Sequence, residues 1–285
     1  RDADPRHHKT HLVHPTPPSM DDVFAAPLRD AFPDRAVADL HGTGPSWNEA
    51  NRTVGVEFTD GEQVYLKVAT DGDGTRIARE RAVIDYVGAT TTVPVPTVAA
   101  SAVDRAVPYL VTTPVGGAPL VEAWRETDED GRAALARAVG RSLARVHDRR
   151  FDAHGHVVGG GADGLELETA AWTDVLVDTV EELRELAPCT RFAHYFDAVV
   201  EAVEANRAVL DEAPAALLHG DPAQPNCVRV DGDVGFLDWE IAHVGDPVRD
   251  VYRARDQQFA GLRDAGPERL VTAFPDGYRE VAGGL

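Results

Sequence analysis

Apolar and polar positions divide the chain into two regimes. In the first, apolar residues come in short runs and alternations: Thr53 to Phe58, Gln63 to Val68 and Val107 to Val111 all read as strands. One helical stretch lies between the second and third runs. The turn Asp71-Gly72-Asp73-Gly74 introduces it, Thr75 is placed to cap it, and Ile77, Ile84 and Val87 share one stripe. The run ending at Val111 enters a Pro/Gly-rich connector from Thr112 to Leu120, a candidate domain boundary. Beyond Leu120 the period becomes helical. Leu135, Val139, Leu143 and Val146 form one stripe, Trp172, Leu176, Val180 and Leu183 a second, and Phe192, Phe196, Val199 and Val203 a third. Their aromatics are expected in the core. Strand-like runs return at Ala215 to His219, Cys227 to Val230 and Val234 to Leu237, the last two joined by the turn Asp231-Gly232-Asp233.

This pattern predicts an α+β chain: a small sheet with one helix, then a larger, mainly helical part. At 285 residues the chain can hold two lobes with a sizeable core. We place them at residues 20–115 and 116–285. Residues 1–19 are His- and Pro-rich without periodicity, and the only Met is Met20, so this stretch is expected to be a disordered or upstream extension.

Charge narrows the functional classes. With 28 basic against 48 acidic residues and a net charge of −20, nucleic acid is an unsuitable partner. Such an acidic, Lys-poor chain is expected of a cytoplasmic protein in a salt-accumulating halophile. It also discounts clusters such as Asp174, Asp178, Glu181 and Glu182 as a site for a polycation, because acid coats every surface. Cys189 and Cys227 lack ligand-like spacing and fit a reducing interior. The longest uncharged stretch, Tyr86 to Val103, contains Pro94 and Pro96, so no membrane span is expected.

The chemistry concentrates in Leu218-His219-Gly220-Asp221-Pro222-Ala223-Gln224-Pro225-Asn226 and Phe236-Leu237-Asp238-Trp239-Glu240. Asp221 beside a His, Asn226 five residues later, and Asp238 closing the next strand suit phosphoryl transfer from ATP to a hydroxyl. One carboxylate must take or orient the hydroxyl proton, while an amide and a second carboxylate hold Mg²⁺ against the phosphates. The three side chains are expected to converge from the ends of neighbouring strands. His219 is expected to brace the loop. In the first regime Lys67 stands out, since Lys9 is the only other lysine among 28 basic residues. A chain that prefers Arg yet keeps Lys in a strand suits a compact ammonium reaching nucleotide phosphates. Glu80, on the apolar face of the following helix, is its expected partner. Gly42 and Gly44 allow close backbone approach to phosphate, and Ser46 and Asn51 read equally as phosphate-side donors or as simple turn residues.

These motifs resemble the Brenner-type signature of the aminoglycoside phosphotransferase family, within the choline-kinase and protein-kinase-like superfamily. The similarity covers HGDxxxxN, the hydrophobic-DWE segment, and Gly245-Asp246-Pro247 with Asp250, and extends from about Leu40 to about Tyr278. The resemblance implies a two-lobed kinase-like fold with Asp221 as catalytic residue and Asn226 and Asp238 as metal ligands. It implies ATP and Mg²⁺ as cofactors, and makes the strand ending at Val111 the fifth strand, leading into the lobe linker. His147-Asp148 resembles a structural segment of the family. Members usually run on for further helices beyond a segment like Gly277 to Glu280, so a chain ending at Leu285 is expected to be a short form or to lack its C-terminus. Two rivals from other classes are a nucleotide-binding pseudokinase, whose machinery would not need to be intact, and a metal-dependent phosphoesterase, which leaves Lys67 and Glu80 unexplained. Only eleven residues lie between Asp238 and Asp250, too few for a peptide platform, so the acceptor is expected to be a small molecule.

Overall fold

The period-two runs of the first regime become a sheet. A computed structural model describes residues 20–43, 50–187, 189–255 and 267–283 of the chain. Helix α1 (Met20–Ala31) leads into β1 (Val37–Gly42), β2 (Asn51–Phe58) and β3 (Gln63–Ala69); α2 (Thr75–Thr90) then precedes β4 (Val98–Ala102) and β5 (Tyr109–Thr112). These strands pair antiparallel in the order β1-β2-β3-β5-β4. Alternation sends Val64, Leu66 and Val68 into a core shared with Phe24 and Leu28 of α1. Lys67 and its cross-strand partner Leu110 face the other way, where Ile77, Ile84 and Val87 of α2 pack. Thr75 is the first helical residue and does not cap α2. Asp73 Oδ1 instead accepts hydrogen bonds from the Thr75 backbone N–H and hydroxyl, a charged acceptor outcompeting a neutral one.

The second regime begins with β6 (Ala118–Pro119), α3 (Leu120–Glu126) and α4 (Glu129–His147), then β7 (Gly155–Gly161) and β8 (Gly164–Thr169). Helices α5 (Trp172–Leu186), α6 (Ala193–Ala205) and α7 (Arg207–Leu210) follow. Strands β9 (Ala216–Leu218), β10 (Cys227–Val230), β11 (Asp233–Phe236) and β12 (His243–Gly245) come next, before α8 (Pro247–Ala254) and α9 (Glu268–Ala282). The stripe Leu135, Val139, Leu143 and Val146 is buried along α4. Helix α9 crosses α4 so closely that a Cβ on Gly140 would lie 2.1 Å from the Phe274 carbonyl oxygen. No helix among the described residues is long and apolar enough to cross a membrane.

Three expectations need correction. Strands β10 and β11 form a hairpin turning at Asp231 and Gly232, both at positive φ, but β9 belongs to a separate sheet of order β8-β7-β12-β9. The buried residues described on α5 are Trp172, Thr173, Val175 and Thr179, with Leu176, Val180 and Leu183 only half-buried. The third stripe is no core at all: α6 buries no residue, and Phe192 and Val199 are 49% and 47% exposed. Helix α6 lies against α5 and α7 as an outer layer, so its apolar period is not matched by a covering element among the described residues.

Candidate active site

Lys67 reaches from β3 into a nest of carboxylates. Its Nζ lies 2.6 Å from Glu80 Oε2, 2.6 Å from Asp238 Oδ1 and 3.2 Å from Glu240 Oε2. The apolar face of α2 delivers Glu80, while the neighbouring arginines turn away. Arg79 donates to the backbone oxygens of Val157 and Glu240, and Arg81 to that of Gly160. Burial works against the Lys67 ammonium, but Asp238, Glu240 and Glu80 together hold its pKa well above the ordinary value. Three carboxylates around one ammonium leave an excess of negative charge. Burial, which outweighs the attraction of Lys67, pushes the Glu80 carboxyl up to about 7, and the charges of Asp238 and Glu240 act in the same direction. Asp238 sits two residues past β11 with φ +64, a left-handed conformation uncommon outside glycine. That turn takes its carboxylate out of the strand direction.

The Asp221 loop hangs from a buried anchor. Asp250, on α8, accepts the backbone N–H of His219 at 2.6 Å and that of Gly220 at 3.1 Å. Burial opposes its negative charge, yet the His147 hydrogen bond and the nearby Arg249 and His219 hold its pKa below the usual carboxylate range. Gly220 is irreplaceable for a local reason: its φ is +87, and a Cβ would lie 2.5 Å from the Ile241 carbonyl oxygen. The buried His219 ring spans the loop. Its Nδ1 accepts from the Asp221 backbone N–H at 3.2 Å, which leaves Nε2–H to donate to the Leu237 carbonyl at 2.9 Å. Its ring also packs 4.4 Å from that of Trp239, consistent with a brace. Asn226 Nδ2 donates to the Asp221 backbone oxygen at 3.0 Å and to Oδ2 at 3.3 Å, and the Asn226 carbonyl accepts from Leu237 N–H. The loop from β9 and the end of the β10–β11 hairpin therefore meet, although they belong to different sheets. With its Nδ2 engaged, Asn226 keeps its amide oxygen as a possible metal donor.

The sequence reading placed the remaining groups less well. Gly42 ends β1 with open space where a Cβ would stand, so the described structure does not require glycine there. Gly44 and Ser46 lie outside the described residues. Asn51, read as a phosphate-side donor, is buried and donates to Glu240 Oε2 at 2.6 Å. Glu240 itself was missed. Its carboxylate, with those of Glu80 and Asp238, places one oxygen each within 4.8 Å of the others, a set of hard donors suited to a divalent cation. The signal was present only as proximity: Glu240 stands two residues after Asp238, and the left-handed turn at Asp238 is what lets both reach Lys67. Arg253, whose Nε donates to Asp221 Oδ1 at 2.9 Å, was also missed.

An antiparallel sheet whose Lys67 pairs with Glu80 of the following helix, set over an Asp–Asn loop, is the arrangement of a protein-kinase-like fold. A model of the phosphotransferase enzyme family (APH) matches residues 41–284, and the chain belongs to that family. It is a phosphotransferase by family, the class its motifs predicted. Among solved structures it is similar to the macrolide 2'-phosphotransferase MphH of Brachybacterium faecium. They share 19% identity over 93% of this chain and 84% of that one, with a TM-score of 0.61. A putative fructosamine-3-kinase from Thermobifida fusca gives 22% identity, 90% and 83% coverage and a TM-score of 0.58. ADP-bound aminoglycoside phosphotransferase APH(2'')-Ib gives 16%, 93% and 83%, and 0.59. A search among curated proteins found no match.

Proposed function

We propose that the site moves the γ-phosphate of ATP to a hydroxyl of a small molecule, with residues 20–115 carrying the nucleotide and 116–285 the acceptor. Lys67, held by Glu80, engages the α- and β-phosphates. Asp221 accepts the hydroxyl proton, and Asn226 and Asp238 hold Mg²⁺. The observation that carries this reading is Lys67 set between Glu80 and Asp238, with the Asp221–Asn226 loop tied to the adjoining strand end. The surplus of buried carboxylate fits a divalent cation. Mg²⁺ when bound supplies charge neutralisation of the phosphates.

A small acceptor is favoured by the segment after Asp238. Residues 239–249 are spent on a turn, β12, the Asp246 cap accepting from Val248 N–H, and the first turn of α8. Radiolabelled ATP given to the purified protein with a mixed cell extract is expected to label small metabolites and leave polypeptides unlabelled. Strong transfer to proteins alone overturns the small acceptor and leaves the phosphotransferase core standing.

We read the net charge of −20 as fitting a salt-rich cytoplasm. The melting temperature is expected to rise from dilute to molar KCl, as the Debye length falls from about 10 Å to about 3 Å and carboxylate repulsion is screened. A flat or falling curve removes that reading.

A further inference from the structure

Helix α8 turns two arginines, four residues apart and therefore on one face, toward the loop that carries Asp221. Arg253 Nε donates to Asp221 Oδ1 at 2.9 Å. Arg249 is largely buried, with 18% of its side chain exposed, and its Nη1 donates to the Gly220 carbonyl at a long 3.4 Å. Its nearest described carboxylate is Asp250, 3.9 Å away and already occupied by the His219 and Gly220 backbone N–H groups. Among the described residues, Arg249 Nε and Nη2 have no hydrogen-bond acceptor. Burial holds the Arg249 pKa below the ordinary value and Arg253 adds to this, while Asp250 and Asp221 oppose it. A guanidinium offers five donors in a planar fork matched to carboxylate or phosphate. Leaving that fork underused is unusual in a chain with 48 acidic residues, where Arg35, Arg105, Arg137 and Arg207 each rest on a carboxylate.

Three of the four acids noted on α5 are paired with arginines, and the fourth, Asp178, faces His156. Asp174 pairs with Arg207, Glu181 with Arg184, and Glu182 with Arg76. Next to Asp221 itself stands the Arg253 guanidinium, with Arg249 on the same face of α8.

We propose that Arg249 and Arg253 form an anion seat beside Asp221, so that the phosphate acceptor is a hydroxyl compound bearing an acid group, a carboxylate or a phosphate monoester. The proposal rests on the reading of Asp221 as the transfer centre. An acid gripped by the two guanidiniums places a neighbouring hydroxyl at Asp221, and the same charges repel an amino sugar.

Binding is measured by calorimetry on the full chain saturated with Mg²⁺ and ADP, so that the nucleotide phosphates are already placed. Glycerate and glycerol phosphate are titrated as the two acids, with aminopropanediol as the cationic match. At least one acid is expected to bind and the amine not to; which acid binds assigns carboxylate or phosphate. Arg249→Met and Arg253→Met are each expected to weaken that binding by about tenfold or more, the loss of a charge-assisted contact, with ADP affinity unchanged. Arg249→Lys, which keeps the charge and loses the fork, is expected to fall between. The proposal is overturned if the amine binds as well as the acids, if neither acid binds, or if a folded Arg253→Met protein loses ADP affinity and keeps the acid. Acid binding that persists while neither acid is ever phosphorylated, with Asp221→Asn behaving as wild type, faults the transfer reading of Asp221 and leaves the anion seat standing.

Discussion

Replacing Asp221 by Asn lowers the phosphate-transfer rate by about 10²- to 10⁴-fold, the range for a positioned general base, while nucleotide still binds. Asn keeps the shape and one of the two side-chain contacts: its single amide oxygen can accept from Arg253 Nε, while its NH2 cannot accept from Asn226 Nδ2. The loop is still hung from Asp250, braced by His219 and tied by Asn226 to the Asp221 backbone oxygen, and so keeps its course. What disappears is the group able to take a proton. Asp238→Ala gives a different failure. Its carboxylate is a direct partner of Lys67 and a member of the Glu80–Asp238–Glu240 oxygen set, so its loss abolishes Mg²⁺-dependent nucleotide binding. Single-turnover transfer and equilibrium titration of a fluorescent nucleotide, each with and without Mg²⁺, separate the two. Wild-type rates in both variants on a verified acceptor would sink the assignment, and would return the chain to a nucleotide-binding module without transfer activity.

Much of this site was legible because local chemistry constrains it. The β10–β11 hairpin was read at nearly its true bounds, since an Asp-Gly pair at positive φ between β-branched runs leaves few alternatives. Glu80 was found because a carboxylate on the face of Ile77, Ile84 and Val87 must meet a cation once that face is buried. Other features depend on contacts that no local period encodes. Glu240 and Asn51 meet across 189 positions of sequence, and Arg253 reaches Asp221 across 32. The placement of β9 and β10 in separate sheets is decided by β12 and β6, strands of three and two residues that carry too little pattern to be read. The α6 stripe failed for the converse reason: periodicity reports what a helix could bury, and α6 lies outermost.

Lys67→Arg is expected to cost activity while keeping the charge. Three carboxylate oxygens stand within 3.2 Å of Nζ, and the side chain is only 12% exposed. A planar guanidinium is larger than the ammonium these oxygens enclose, and overpacking of such a site costs about 1–3 kcal/mol. Lys67→Met goes further. It strands Glu80 and Glu240, both nearly fully buried, without their cation, a loss of roughly 3–5 kcal/mol at neutral pH. The sign of the pH dependence follows from proton counting. Glu80 already stands at about 7, above the usual 4.5, so the folded state holds a proton that the unfolded chain has released. That contribution favours folding below pH 4.5 and is lost as the pH rises toward 7. Removing the ammonium, whose charge pulls the Glu80 carboxyl down, raises that carboxyl further, so the Lys67→Met protein should be comparatively stable in acid and weaken steeply toward neutrality. Adding Glu80→Gln to Lys67→Met should recover part of the loss, because one uncompensated charge is gone. Urea unfolding of the single and double variants between pH 5 and pH 8 measures both effects. A Lys67→Met protein as stable as wild type across that range, or an unimpaired Lys67→Arg enzyme, would show that the three carboxylates do not depend on this lysine.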